Sequence, residues 1–217
     1  MPRQVDHEGR RRRIAEAICL IADERGLEGV TLRDVAAVAQ VSMGAVQRCF
    51  RSKEEMLLFA VGYVGERITE RVRTRLGGGP AQPPATALGH AATEVALLRE
   101  EHRAEARVWL AFVAQAAVSE PLADTLRTSY AALQDLFARL ITEATEATEA
   151  TGSAPVGKDP APPGPRREAR ALLALADGLT SHVLIGHLTS EEADEVLHAH
   201  LAGLWERLDA TTAGRAN

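Results

Sequence analysis

Residues 31–58 read TLRDVAAVAQVSMGAVQRCFRSKEEMLL, and they contain two short helical patterns joined by a tight turn. Thr31 and Ser42 each stand one position before a pattern, where a hydroxyl side chain caps the free N–H groups of a helix. The inward positions of the two patterns are apolar: Val35, Ala36, Val41 and Val46. Two short helices that share one apolar side predict a helix-turn-helix, whose second helix presents its outer face to the major groove of DNA.

The second helix of this pair has a predicted outer face formed by Met43, Gly44, Gln47 and Arg48. The residues at its start are small, so its backbone is able to approach a groove closely. A helix start also presents free N–H groups and the positive end of the helix dipole, and both favour a phosphate. The pattern therefore predicts a surface that reads base edges and contacts the DNA backbone.

The rest of the chain repeats apolar residues at helical intervals and has almost no alternating strand pattern. We predict an all-α protein of about nine helices: 8–25, 31–39, 42–50, 52–76, 85–99, 101–118, 121–149, 166–188 and 190–209. Glycine and proline cluster at 77–84 and 151–165, which we predict to be flexible connections. The expected division is an N-terminal three-helix head, residues 1–55, on a helical body, residues 56–217.

Charge is distributed unevenly between these two parts. The net charge of −5 at pH 7 argues, taken alone, against a nucleic-acid partner. However, residues 1–76 carry 14 Arg and Lys against 11 Asp and Glu, whereas residues 77–217 carry 11 against 19. A mildly basic head on an acidic body is expected of a molecule that contacts phosphates at one end only.

The composition also limits the location and chemistry of the protein. No apolar run is long enough to span a membrane, and the N-terminal segment is charged and lacks an apolar core, so we expect neither a membrane span nor a secretory signal. Cys19 and Cys49 lie within helical patterns and are expected to be reduced and packed as small hydrophobic residues. Phosphate-binding, nucleophile-elbow and Cys-x-x-Cys motifs are missing from the sequence. These features predict a cytoplasmic protein without cofactor, catalytic residues or membrane partner.

A helical enzyme or metal protein is the main alternative. Glu195 and His198 have the Glu-x-x-His spacing of a di-iron ligand helix. Such a site needs a second copy of this motif and two further glutamates, and the sequence has no second copy. His198 and His200 are two positions apart and do not share a helix face, so no metal site is predicted.

The continuation of the helix pair carries a family resemblance. The segment Phe50-Arg51-Ser52-Lys53-Glu54-Glu55-Met56-Leu57 resembles the end of the third helix and the start of the fourth helix in TetR-family transcription regulators. The Val41-Ser42-x-Gly44 segment and residues 31–36 are similar too, so the resemblance covers about residues 10–60. It implies a ligand-responsive regulator, most often a repressor, that binds a palindromic operator as a homodimer and is released by a small molecule.

The resemblance implies roles for matching residues. Thr31, Ser42 and Lys53 would contact phosphates, and Arg33 would reach a phosphate or a guanine edge. Arg10–Arg13, ahead of the first helix, would enter a minor groove or follow the backbone. The bases would be faced by Met43, Gly44, Ala45 and Arg48.

Two residues depart from the family pattern. Gln47 stands where the family usually has tyrosine, and its amide still donates a hydrogen bond. Gln40 stands where the turn usually has glycine, and a left-handed Gln40 would cost roughly 1 kcal/mol. These departures leave open a third hypothesis, a helical ligand-binding protein that has lost DNA binding.

The resemblance also implies a ligand pocket in the body. Apolar walls would come from Trp109, Phe112, Val113, Leu133 and Phe137, and polar groups from Arg107, Asp177 and His182. Ordinary core packing is the alternative for the aromatic residues.

The last two helices carry a stripe of large apolar residues that suits a four-helix dimer interface. The same stripe is also able to complete a core within one subunit. Its members are Leu172, Leu175, Leu179, Val183, Val196, Leu201, Leu204 and Leu208.

Overall fold

A computed structural model describes the backbone of residues 2–78, 82–150 and 164–214. Its side chains are described for residues 7–78, 82–147 and 164–207. Within these ranges the chain forms nine α-helices and no strand, which confirms the all-α prediction. They are α1 Pro2–Arg25, α2 Leu32–Val38, α3 Met43–Cys49, α4 Lys53–Gly77, α5 Pro84–Val95, α6 Arg103–Ala116, α7 Glu120–Ala150, α8 Pro165–Leu184 and α9 Ser190–Gly214.

The predicted end of α5 at residue 99 is wrong, because the chain leaves the helix after Val95. Leu97 takes a left-handed conformation with φ 51°, and a single 3-10 turn follows at Glu100–His102. As a consequence α6 begins at Arg103, slightly later than predicted, and it ends at Ala116 instead of Val118.

The last helices also differ at their ends. The predicted helix 166–188 ends at Leu184, because Gly186 has φ 73° and the N–H of His187 turns back to the carbonyl of His182 at 2.9 Å. This left-handed glycine is the usual way to close a helix. By contrast, α9 continues to Gly214, beyond the predicted end at residue 209.

The N-terminal arginines are not ahead of the first helix, since α1 begins at Pro2 and contains all of Arg10–Arg13. The guanidinium of Arg11 lies over the rings of Phe50 and Phe59, 4.8 and 4.4 Å from their centroids. Arg12 pairs with Glu8 at 3.1 Å. The expectation of a free arm that enters a minor groove is therefore corrected to a helical segment, of which Arg11 is held against the aromatic pair.

Three residues that we predicted to lie in the flexible connections 77–84 and 151–165 belong to helices instead. Gly77 is the last residue of α4, while Pro84 and Pro165 are the first residues of α5 and α8. Proline suits the first turn of a helix because its missing N–H has no helical partner there. Residues 79–81 and 151–163 lie outside the described residues.

By packing, the chain forms two compact units that do not follow the predicted division at residue 55. The first unit comprises Met1–Arg67 and Glu101–Ser129, and the second comprises Ile68–Glu100 and Tyr130–Asn217. The first unit therefore combines the predicted head with the start of α4, the whole of α6 and the start of α7.

In the first unit, α1 packs against α2, α3 and α6. Its apolar face is buried through Ile14, Ile18 and Ile21, as its periodicity predicts. Cys19 and Cys49 are free thiols, as expected. Burial raises the pKa of the Cys19 thiol from 9.0 to about 12, so this side chain stays neutral and behaves as a small hydrophobic group.

In the second unit, α5, α8 and α9 pack against one another around a shared core. The stripe predicted for dimerisation supplies much of this core, so the intramolecular alternative is correct for most of its members: Leu172, Leu179, Val183, Leu201 and Leu204. Leu175 is half-buried, Val196 is exposed, and the side chain of Leu208 lies outside the described residues. Among the helices described, none is both long enough and apolar enough to cross a membrane.

Candidate nucleic-acid interface

The helix pair is fixed by hydroxyl caps at both starts, as predicted. At α2, Thr31 Oγ1 accepts a hydrogen bond from the Asp34 N–H at 3.2 Å and donates its own hydrogen to the Asp34 carboxylate. At α3, Ser42 Oγ accepts from the Ala45 N–H at 3.2 Å. A hydroxyl has one hydrogen to donate, so Ser42 keeps a donor for a phosphate, whereas the Thr31 hydrogen is directed at Asp34.

The turn between the two helices depends on Gln40. This residue has φ 54°, a left-handed conformation that costs a residue other than glycine roughly 1 kcal/mol. The Gln40 N–H donates to the Ala37 carbonyl at 3.2 Å, and the Val41 N–H donates to the Ala36 carbonyl at 3.0 Å. These bonds close the end of α2 and reverse the chain at once, which sets the direction in which α3 leaves the turn.

The outer face of α3 is open to solvent. Met43 is 51% exposed, and Gln47 and Arg48 are exposed beside it. Gly44 is half-buried, and a Cβ at this position would lie 3.6 Å from Arg48 Nη1, so the guanidinium lies close to the bare backbone. A side chain at position 44 would be in ordinary van der Waals contact with Arg48, which lies on the exposed face of the helix.

Ala45 is the one member of the predicted base-facing set that points inward. It is only 6% exposed, and it is buried together with its neighbours Val46 and Cys49. Small size at this position therefore permits close packing within the first unit. We correct the expectation that its side chain faces bases.

Lys53 stands at the first position of α4, behind the pair. Its Nζ donates to the carbonyl oxygen of Glu28 at 3.3 Å, which ties the start of α4 to the 3-10 turn Leu27–Gly29. An ammonium has three hydrogens, so this bond leaves others for a phosphate. Reasoning from the sequence missed this link, because a backbone carbonyl far away in the chain has no signature of its own.

The start of α4 is stabilised by a reciprocal cap. The Glu55 N–H donates to Ser52 Oγ at 3.1 Å, and the Arg51 N–H donates to the Glu55 carboxylate at 2.7 Å. Ser52 and Glu55 are three positions apart in the sequence, which is the spacing of a capping box. Arg33 is exposed on α2, and Lys53 stands at the start of α4. We call these two cationic residues the rim of the helix pair.

Arg107, which was predicted to bind a ligand, connects α6 to α1. It donates to both carboxylate oxygens of Asp23, with Nη2 at 3.1 Å. Two further polar contacts tie α4 to its neighbours: Tyr63 donates to Glu16 of α1 at 3.0 Å, and Arg67 lies 4.0 Å from Glu105 of α6. The partners in each of these contacts lie on different helices, far apart in the chain, so no local pattern indicates them.

The other predicted ligand residues are distributed over both units. Trp109 and Phe112 are buried in the first unit and Val113 is half-buried there, while Phe137 is buried in the core of the second. Asp177 accepts a hydrogen bond from the Tyr130 hydroxyl. His182 is exposed, with its ring centroid 4.9 Å from that of His187. The pocket itself stays a prediction.

The metal alternative depends on Glu195 and His198. His198 Nδ1 lies 2.8 Å from the Asp194 carbonyl oxygen, within its own helix. In the described part of the chain, no three His, Cys, Asp or Glu side chains are grouped in a way that would hold a metal ion.

Two family models match the chain. Residues 14–60 match the model described as bacterial regulatory proteins of the tetR family, and residues 84–206 match the model described as BetI-type transcriptional repressor, C-terminal. The first of these ranges contains the helix pair and its rim, and the second extends from α5 into α9.

Similar proteins include two curated regulators. The HTH-type transcriptional regulator PksA of Bacillus subtilis is 31% identical over 186 residues, which is 85% of this chain and 83% of PksA. The HTH-type transcriptional repressor KstR of Mycolicibacterium smegmatis is 42% identical over 71 residues, which is 32% of this chain and 35% of KstR.

Solved structures have the same fold along most of the chain. A transcriptional regulator from Rhodococcus sp. RHA1 superposes with a TM-score of 0.74 at 29% identity, covering 90% of this chain and 96% of its own. A regulator from Saccharomonospora viridis in complex with choline has a TM-score of 0.73 at 23% identity, covering 88% and 95%. With two family models, a long relative and the exposed helix pair in agreement, the chain belongs to the TetR family of bacterial transcriptional regulators.

Proposed function

We propose that this protein represses transcription by binding a palindromic operator as a homodimer, and that a small molecule releases it. The observation that carries the proposal is the outer face of α3. Met43, Gln47 and Arg48 stand exposed on a short helix whose other face is buried. A short capped helix of this kind is held rigidly enough for its side chains to meet base edges in a major groove.

The contacts divide by chemistry. Arg48 is suited to a guanine, because its guanidinium donates two hydrogen bonds in one plane, and Met43 and Gln47 would contact neighbouring bases. The phosphates would be met by the hydroxyl of Ser42, the ammonium of Lys53, the guanidinium of Arg33 and the backbone of Thr31. Phosphate contacts position the protein, while base contacts select the sequence.

The dimer would form through the outer faces of α8 and α9 and not through the stripe that is buried in the core. On α8 this outer face carries Ala171, Ala174 and Gly178, and Ile185, which is 77% exposed, follows directly after the helix. On α9 it carries Val196, Ala199 and Gly203, and Val196 is 42% exposed. Small residues let two helices approach closely, and two helices from each subunit make a four-helix interface with two-fold symmetry.

Dimerisation has a functional reason. One short recognition helix offers little contact area, whereas two subunits read two half-sites whose spacing is set by the dimer. The two-fold symmetry of such a dimer is the reason that we expect a palindromic operator.

Release would follow if the effector binds more tightly to a conformation in which the two heads no longer match the operator. The shift cannot exceed the difference between the two affinities, which is typically about 1–3 kcal/mol. Within the first unit, the Asp23–Arg107 pair would transmit a displacement of α6 to α1. The choline complex of the Saccharomonospora viridis regulator is a precedent for a small ligand in a protein of this fold.

The proposal is tested by fluorescence anisotropy with DNA from the intergenic region beside the gene, at several salt concentrations. Arg48→Ala should weaken operator binding by about 1–3 kcal/mol and relax the preference at one base pair. Lys53→Ala should weaken binding to every sequence and lower the salt slope by about 1. Arg127→Ala is the matched control, because Arg127 is exposed on α7 and pairs with Glu120 and Asp124.

Two results would contradict the proposal. One is unchanged operator affinity in both Arg48→Ala and Lys53→Ala, with the folds intact by circular dichroism. The other is binding without salt dependence, since a protein that neutralises phosphates releases counterions. A regulator of this kind acts at the bacterial chromosome, so we propose a cytoplasmic location and no catalytic activity.

A further inference from the structure

A cavity of about 410 Å³ lies in the second unit, between the end of α4, the helix α5 with the turn that follows it, and the start of α9. We call it the α4–α5–α9 cavity. Its ionisable lining consists of Arg75, His90, Arg99, Glu191, Asp194 and His198. None of these residues belongs to the ligand pocket predicted from the sequence, and the volume is within the usual range for small-molecule sites.

The charges of this cavity are separated by element. The two guanidinium groups come from α4 and from the turn after α5, whereas both carboxylates come from α9. The lining also holds two imidazoles, His90 of α5, whose Nδ1 lies 2.8 Å from Gln82 Oε1, and His198 of α9. The cavity therefore has one cationic wall and one anionic wall.

The two walls do not pair with each other. Arg99 lies 3.4 Å from Glu94, a buried carboxylate of α5, and Asp194 lies 3.2 Å from His198 on its own helix. Arg75 and Glu191 have no ion pair among the described residues. Opposite charges that face each other across a cavity without meeting leave room for a group that carries both charges.

Each wall is held in place by contacts of its own. The start of α9 is fixed by a reciprocal cap, in which the Thr189 N–H donates to Glu192 at 2.8 Å and the Glu192 N–H donates to Thr189 at 3.1 Å. The end of α5 is held by the buried hydroxyl of Thr180, which donates to the carbonyl of Ala96 at 2.5 Å. Because the backbone on both sides of the cavity is already fixed, a ligand needs to order only the side chains when it binds.

We propose that the α4–α5–α9 cavity binds a small zwitterion whose two charges are separated by a short chain. Its carboxylate lies against Arg75 and Arg99, and its ammonium lies against Glu191 and Asp194. A guanidinium has five donors, so Arg99 binds a carboxylate while it keeps its contact with Glu94. A ligand with one charge alone interacts with one wall only.

Isothermal titration calorimetry with the full-length protein and no DNA tests this assignment. The probe is 6-aminohexanoate, and hexanoate and hexylamine are matched controls that keep one charge each. We expect 6-aminohexanoate to bind at least fivefold more tightly than either control, because a partly exposed charge pair contributes up to about 1 kcal/mol. Equal affinity for the three compounds, or no heat from any of them up to about 10 mM, overturns the proposal.

Two variants separate the walls. Arg75→Gln should weaken 6-aminohexanoate and hexanoate about fivefold and leave hexylamine unchanged, whereas Asp194→Asn should weaken 6-aminohexanoate and hexylamine and leave hexanoate unchanged. Arg73→Gln is the control, since Arg73 is exposed on α4 and pairs with Glu70 at 3.6 Å, outside the cavity. If either cavity variant binds all three probes as the wild type does, the proposed site is wrong. Because no DNA is present, that result leaves the operator proposal standing.

Discussion

The two helix faces that we assign to partners, those of α3 and α8, are built in opposite ways. The α3 face is short and carries long polar side chains, Gln47 and Arg48, on a helix of 7 residues. The α8 face belongs to a helix of 20 residues and is formed mainly by Ala171, Ala174 and Gly178. A partner of α3 is reached by side chains, whereas a partner of α8 is reached by the backbone itself. Truncation should therefore damage the first face, and enlargement should damage the second.

Enlargement of the α8 face should have the largest effect. A Cβ at Gly178 meets nothing within 4 Å in the subunit, so Gly178→Arg fits the isolated protomer. It should also raise helix stability, because glycine is a poor helix former. In the proposed dimer the guanidinium would be buried without a partner, at a cost of about 3 kcal/mol or more. We expect a monomer by sedimentation velocity at micromolar concentration, and operator affinity lowered about 100-fold.

Gly62→Arg provides a matched control for this enlargement. Gly62 lies in α4, and a Cβ there also meets nothing within 4 Å. The same substitution outside the proposed interface should leave a dimer with full operator affinity. A dimeric Gly178→Arg protein with wild-type affinity would show that the α8 face has no role in assembly.

Among the described residues, two that are not glycine have a left-handed backbone, and they extend the comparison. Leu97 and Gln40 have nearly the same φ, 51° and 54°, but Leu97 is 3% exposed and Gln40 is at the surface. Leu97→Gly relieves roughly 1 kcal/mol of backbone strain and removes a buried side chain, whose loss costs about 2–5 kcal/mol. We expect a net destabilisation of about 1–4 kcal/mol by urea unfolding. An increase in stability would mean that the strain at Leu97 exceeds its packing.

Local signals explain which parts of the fold and site were predictable. The caps at Thr31 and Ser42 each depend on residues that are near neighbours in the chain, so spacing alone located them. The stripe on α8 was also located correctly as a buried face. Periodicity shows that such a face is covered, but it does not show whether the cover is the same subunit or a partner.

Long-range pairing explains the rest. The resemblance implied a ligand contact for Arg107, and no local pattern indicated its pairing with Asp23, on a helix far earlier in the chain. The end of α5 was misplaced because a leucine carries no turn signal, although Leu97 makes the turn. This error arises where tertiary packing overrides the local preference of a residue.

Gln40→Gly should have the smallest effect and the opposite sign to Leu97→Gly. The Gln40 side chain is exposed, so its removal costs little packing, while glycine adopts φ 54° without strain. We expect a stabilisation of about 0.5–1 kcal/mol, partly offset by the greater freedom of glycine in the unfolded chain. Ala37→Gly, at an exposed position inside α2, is the matched control and should destabilise by about 1 kcal/mol. If both substitutions destabilise by the same amount, Gln40 is not strained, and the turn that orients α3 is supported by its flanking hydrogen bonds alone.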